Sequence, residues 1–276
     1  MRKAISTYVF VKSRLHPGLL DKLVQGGAEA IEIFAARGHF DYTDRQQVRE
    51  IANWFKHSGT PLNSLHAPVH TDVEWGRTGT PPINLVDHDK GRRVASMEEI
   101  KRALEIAEAI PLGFLIQHLG IAGEEFDPQK ADYALSSVEH LHAFAKPLGV
   151  KVLLENIPNE IATPERLREL IATLHLNDLG VCFDFGHAHV MSSVEQALPL
   201  LSKHIYSTHV HDNGQVHDNH LFPGEGNIDW KQAMELLRAA PQVPPVLLEI
   251  DGGNRKDLWT KFPEAFRMLE GYEHTT

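Results

Sequence analysis

The stretch from residue 151 to 189, "KVLLENIPNEIATPERLRELIATLHLNDLGVCFDFGHAH", decides how the rest of the chain is read. Two short runs in it, "KVLLENIP" (151–158) and "LGVCFDFGHA" (179–188), are almost continuously apolar. That pattern fits strands buried on both faces of a parallel sheet. Between them, "TPERLRELIATL" (163–174) reads as a helix, with Pro164 at a first helical position that tolerates a missing N–H. Strand, helix and strand in this order make a βαβ unit.

The same alternation runs outward in both directions. Upstream, strands are expected at 3–11, 30–35, 62–68 and 113–120, and helices at 16–27, 43–59, 91–109 and 128–148. Thr43 or Asp44 caps the second helix and Gly59 stops it. Downstream, strands are expected at 205–212 and 244–251, and helices at 193–201, 229–240 and 255–271. Residues 69–90, "VHTDVEWGRTGTPPINLVDHDK", form a polar loop long enough to be functional or mobile. Eight strands, each followed by a helix with no break in composition, predict one closed (β/α)₈ TIM barrel, a single domain over residues 1–276. A doubly wound open sheet is the structural alternative, but the glycine fingerprint expected after its first strand is missing.

Composition narrows the class. The chain has 276 residues, 42% hydrophobic and 23% charged, as in ordinary globular proteins. Its net charge of -10 argues against a broad basic face for nucleic acid. Cys182, the one cysteine, has no internal partner and reads as a buried strand thiol in a reducing compartment. The start, "MRKAISTYVFVKSRLHPGLL", has an apolar run broken by Lys12 and Arg14, so no signal peptide is expected. No apolar stretch approaches the roughly 18 residues of a membrane span. The expectation is a cytoplasmic protein.

In such a barrel, chemistry is placed at the C-terminal ends of the strands. The third strand ends with His66, the fourth with His118 and the fifth with Glu155. The sixth ends with Asp184 and His187, the seventh with His209 and the eighth with Glu249. The loop after the seventh strand belongs to "HVHDNGQVHDNHLFPGEGNIDW" (209–230) and adds Asp218 and His220. One such residue is easily a solvated strand end. Six consecutive strand ends that all carry His, Asp or Glu would crowd together on one axis. They can share that space around cations, and the mixed nitrogen and oxygen set suits divalent Zn, Mn, Co or Fe. His39, His57, His88, His140, His142, His175 and His204 lack this alignment and read as packing or surface residues. His70, His189, His211 and His217 lie beside it and could support the ligands. Trp75 and Trp230 flank the mouth, with packing as their default role.

These residues resemble the xylose isomerase-like barrel superfamily. It includes sugar isomerases and epimerases and the endonuclease IV type of apurinic endonuclease. The resemblance covers nearly the whole chain and rests on "LENIP", "CFDFGHAH", "HVHDN", "DNHLFPGEGNIDW" and "LLEID" in the expected order. "IEIFAARGHFDY" and "SLHAPVH" are more similar to the sugar branch. That branch implies one divalent metal held by Glu155, Asp184, His209 and Glu249, which stabilises an enediolate. It implies Glu155 and Glu249 as the acid/base pair, His187 on a substrate oxygen, and a small sugar or sugar-phosphate substrate.

The endonuclease branch implies three zincs on nine ligands. His66, His118, Glu155, Asp184, His187, His209, Asp218, His220 and Glu249 match all nine residue types. Phosphodiester hydrolysis with up to three ions is therefore the alternative. Against it, the first strand lacks that branch's glycine-rich opening, and DNA-probing loops have no clear counterparts. A dehydratase-like reaction on a cyclitol, or a non-catalytic sugar-binding barrel, completes the set. His220 stands where ketohexose epimerases usually carry a substrate-binding arginine, which argues against that narrower assignment. Homo-oligomerisation is left open.

Overall fold

The protein is described from a computed structural model that covers residues 1–77, 79–176 and 178–273. Eight parallel strands are β1 (Lys3–Ser6), β2 (Ala30–Phe34), β3 (Leu62–His66), β4 (Leu112–Gln117), β5 (Lys151–Glu155), β6 (Gly180–Asp184), β7 (Ile205–His209) and β8 (Val246–Leu248). They hydrogen-bond in the order β7-β6-β5-β4-β3-β2-β1-β8. The last gap closes where the Val210 N–H donates to the Leu247 carbonyl at 2.8 Å and the Glu249 N–H to the Val210 carbonyl at 3.3 Å. The architecture is a single (β/α)₈ TIM barrel.

The helices around it are α1 (Pro17–Gln25), α2 (Arg45–Ser58), α3 (Lys90–Leu104), α4 (Pro128–Ala145) and α5 (Pro164–Leu174). They continue with α6 (Phe185–Met191), α7 (Val194–Leu201), α8 (Trp230–Arg238) and α9 (Leu258–Glu273). Asp44 caps α2 by accepting from the Gln46 and Gln47 N–H groups, and Gly59 ends it at φ 73°. Thr163 caps α5 ahead of Pro164. No described helix is long and apolar enough to cross a membrane.

Strand periodicity sorts the core into two parts. On β5, Val152 and Leu154 join the main cluster with helix residues such as Val138 and Leu167. The opposite face, inside the barrel, carries two small apolar groups: Ala4 with Ala30 and Leu247, and Ile116 with Leu153 and Cys182. Two residues further along the same inward faces stand Glu32, Glu155 and Asp184. The small apolar groups and the carboxylates thus occupy successive layers of the barrel interior. Cys182 is a buried free thiol.

Most expected strands end earlier than their apolar runs suggest. The first apolar run extends to residue 11, but its strand stops at Ser6, whose Oγ accepts from the Tyr8 N–H at 3.3 Å and opens a 3-10 turn over Thr7–Phe10. The sixth run extends to residue 188, but its strand stops at Asp184, whose carboxylate caps α6. His118 and Glu249 each lie one residue beyond their strands.

Candidate metal centre

The C-terminal ends of β5 to β8 bring four acceptors together. Ligand atoms of Glu155, Asp184, His209 and Glu249 lie within 4.8 Å of one another, and all four residues are buried. His209 Nδ1 is 3.1 Å from Glu155 Oε1, 3.6 Å from Glu249 Oε2 and 3.7 Å from Asp184 Oδ2. Two further groups adjoin this one. His66, Glu155 and His209 form the first, and His187, His211, Asp218 and His220 the second. His118 Nε2 meets Glu155 Oε2 at 3.0 Å, and His66 Nε2 lies 3.4 Å from the same oxygen. Asp218 Oδ2 is 3.1 Å from Nε2 of both His187 and His220.

Local structure aims these rings. The Asp184 Oδ1 accepts from the His187 N–H at 2.6 Å, which starts α6 and sends His187 in from its first turn. Asn156 ties β5 to β6 by pairing with the Asp184 backbone at 2.8 and 2.9 Å. His66, His187 and His220 set Nδ1 against the carbonyls of Ala67, Asn156 and Glu249 at 2.8, 3.0 and 3.0 Å. A carbonyl only accepts, so Nδ1 holds the proton of the neutral ring and the Nε2 lone pair faces the site. That is the tautomer a metal ligand requires.

The loop after β7 is folded by Asp212. Its carboxylate accepts from the Gly224 N–H at 2.9 Å, the Ile228 N–H at 3.2 Å and Trp230 Nε1 at 2.8 Å. The turn at Pro223–Gly226 is thereby held against the barrel, and Asp218 and His220 face inward. His220 adopts φ 45°, a left-handed conformation uncommon outside glycine, and its ring bond to the Glu249 carbonyl helps hold it there.

Burial raises the carboxylate pKa values here, but the surrounding imidazoles outweigh it. Glu155 is held well below its usual range by His209, His118 and His187, and Asp184 is lowered by His187 and His211. Burial lowers the imidazoles, and the carboxylates more than offset this for His209 and His187, which end well above their usual value. His220 is raised to about 9, chiefly because Asp218 outweighs burial. Glu155, Asp184 and Asp218 stay anionic, and the rings beside them draw protons to balance them. A divalent cation can take the place of those protons.

The residues fit such a cation. Three carboxylates and one imidazole make a mixed oxygen and nitrogen set. Among the described residues, Glu249 Oε1 is a buried oxygen without a hydrogen-bond partner. Glu155 and Glu249 line a cavity of about 590 Å³ together with His66, His118, His187 and His220, and its apolar wall carries Tyr8, Phe34 and Trp75.

All nine sequence-derived site residues converge here. His211, read as a neighbour, sits inside: its Nε2 is 3.0 Å from Asp184 Oδ2, and its ring stacks on His220 at 3.9 Å. His70 instead packs against Trp75, and His189 bonds Asn227 Oδ1 at 2.6 Å. Trp230 is buried core. Sequence reasoning missed Glu32, Tyr8 and Phe34. Glu32 is fully buried on β2, with Oε2 2.7 Å from Ser64 Oγ and 3.2 Å from His209 Nε2. A carboxylate inside "AIEIF" was the available clue.

Residues 20–272 match the xylose isomerase-like TIM barrel family, and the chain belongs to that family. It is 25% identical over 258 residues to the uncharacterized protein MJ1311 of Methanocaldococcus jannaschii, covering 86% of this chain and 80% of the relative. An inosose isomerase of Bacillus licheniformis is 26% identical over 163 residues, 54% of this chain and 58% of the relative. A D-tagatose 3-epimerase-like protein of known structure shares the fold with a TM-score of 0.80 at 22% identity, over 99% of this chain and 97% of that one.

Proposed function

We propose that this protein is a divalent-metal-dependent isomerase or epimerase that moves a proton at a carbon beside the carbonyl of a sugar, sugar phosphate or inosose-like cyclitol. The observation that carries this reading is the buried set Glu155, Asp184, His209 and Glu249, of which Glu155 and Glu249 line the 590 Å³ cavity. The inosose isomerase and tagatose epimerase-like relatives support the substrate class. When bound, Mn, Zn, Co or Fe supplies Lewis-acid polarisation of the substrate carbonyl and hydroxyl oxygens.

The protein's own groups do the rest. Glu155 and Glu249 stand at the ends of strands separated by β6 and β7. They reach the substrate from different directions, one to take the proton and the other to return it. Whichever of the two returns a proton first receives it from the substrate or from water. His187 holds a substrate oxygen, and the apolar wall excludes water from the reacting carbon.

The test is a panel of ketoses, aldoses, inososes and their phosphates in deuterated water, with metal-loaded and chelated protein. One true substrate gains deuterium at a single carbon, only with metal. Glu155→Gln and Glu249→Gln each lower that rate by about 10²–10⁴-fold. No exchange anywhere on the panel contradicts the reading.

The His187, Asp218 and His220 group favours one second reading, a multi-ion phosphoesterase. Metal-dependent nicking of DNA containing abasic sites, without deuterium exchange, would establish it in place of the first.

A further inference from the structure

The wall of the cavity beside the ligand cluster is built differently from the cluster. Tyr8, Phe34 and Trp75 form a box, with ring centroids 5.1 Å apart for Tyr8 and Phe34, 5.3 Å for Phe34 and Trp75, and 5.9 Å for Tyr8 and Trp75. The last two pairs meet edge to face at 86° and 78°. Phe34 also stacks on His66 at 4.3 Å, and Tyr8 lies 5.0 Å from the His220 ring. The box therefore abuts the polar cluster directly. Ile83 and Ile121 extend it, and Val216 stands 72% exposed at the rim.

Two physical consequences follow. No lysine or arginine lines this cavity among the described residues. A phosphate packed against Phe34 and Trp75 would lose its hydration with no lysine or arginine to pair it, a heavy penalty for a dianion. A phosphate placed at the cluster would compete with the carbonyl and hydroxyl oxygens that must sit there. The cavity is also large. About 590 Å³ falls in the range of roughly 300–1,000 Å³ that encloses drug-sized ligands, and a hexose of about a dozen heavy atoms is smaller than these. The remaining space is lined by aromatic and aliphatic carbon.

We propose that the substrate is an unphosphorylated polyol ring carrying an apolar, ring-sized substituent. The polyol faces the carboxylates and imidazoles, and the substituent packs against the Tyr8, Phe34 and Trp75 box, whose rings already touch one another. This rests on the proton-transfer reading above and names the substrate class of the same site. Trp75 comes from the long 69–90 connection, so that loop supplies the specificity wall, while Tyr8 and Phe34 enter from the β1 and β2 ends.

The experiment uses matched triplets of each ketose and inosose: the free ring, its phosphate ester and its benzyl ether. Binding to metal-loaded protein is measured by calorimetry, and deuterium exchange is followed on the same compounds. The benzyl ether of the true ring binds at least about tenfold tighter than the free ring, and the phosphate binds more weakly than either. Trp75→Ala brings the benzyl-to-free ratio towards one, and Trp75→Phe restores most of it, which separates lost packing from misfolding. A phosphate ester that binds best, a ratio near one in the wild type, or a ratio that Trp75→Ala leaves unchanged overturns the proposal. Tight benzyl binding without exchange in any compound removes the proton-transfer reading and keeps the pocket assignment. Exchange on free or phosphorylated rings without a benzyl preference does the reverse.

Discussion

Glu32 Oε2 lies 3.2 Å from Nε2 of His209, on the far side of the ring from Glu155, whose Oε1 is 3.1 Å from Nδ1. The imidazole is held between two buried carboxylates, one of which belongs to the proposed ligand set. Burial raises the Glu32 pKa, but His209, His66 and Ser64 outweigh it, and the group is lowered overall. An anionic Glu32 fixes the Nε2–H and leaves the Nδ1 lone pair for a cation. Glu32→Gln keeps the shape and removes the charge. It should weaken metal affinity by about 10–100-fold in a chelator competition. Unchanged affinity would remove Glu32 from the account.

Gly186 is needed for His211. A Cβ built at this position would lie 2.0 Å from His211 Cε1 and 2.3 Å from Nδ1, which no real structure accepts. The bare backbone lets the ring reach Asp184 at 3.0 Å. Gly186→Ala must displace His211 or bend α6, and overpacking of this kind costs about 1–3 kcal/mol. Chemical denaturation should show the loss, together with reduced metal retention. A variant with wild-type stability would contradict the packing argument.

His39 gives the protein a pH dependence separate from the cluster. It is buried, donates from Nδ1 to the Ser13 carbonyl at 2.6 Å, and has its pKa lowered from 6.5 to about 4, chiefly by burial. The folded state therefore prefers the neutral ring. The resulting stability is fully present above pH 6.5, is lost as the pH falls towards 4, and is worth up to about 3 kcal/mol. Urea midpoints of chelated protein between pH 7 and 4 should fall less steeply in His39→Gln than in the wild type. Identical slopes would count against it.

Asp212 organises the loop that carries Asp218 and His220, through three hydrogen bonds from Gly224, Ile228 and Trp230. The Asn213 N–H donates to the same carboxylate at 2.9 Å, so removing this buried acceptor leaves four donors unsatisfied. Asp212→Ala should cost at least about 2–4 kcal/mol and loosen the loop. Hydrogen exchange at the Gly224 and Ile228 amides would report the loosening. Protected amides in the variant would show that other contacts hold the loop.

Much of this was legible in the sequence because two periodicities and one topological rule are local. The run at 151–189 contains a whole βαβ unit, and strand ends in a barrel converge wherever they lie in the chain. What escaped depends on partners distant in sequence. Glu32 is 177 residues from His209, and nothing near "AIEIF" announces the ring that it faces. The aromatic box unites residues 8, 34 and 75, from a 3-10 turn, a strand end and a long connection. The strand ends at Ser6 and Asp184 escaped because side-chain capping, rather than hydrophobicity, stops each strand. His187 therefore comes from a helix, though the sequence placed it on a strand.

The claim at the centre of this account is that Glu155, Asp184, His209 and Glu249 hold a cation. An anomalous-difference map at the metal edge, from crystals of protein purified without chelator, tests it most directly. The account predicts a strong peak at bonding distance from all four residues, about 2.0–2.3 Å for the first-row ions considered. A well-phased map with no peak there, or with metal only at sites that none of the four touches, would contradict it.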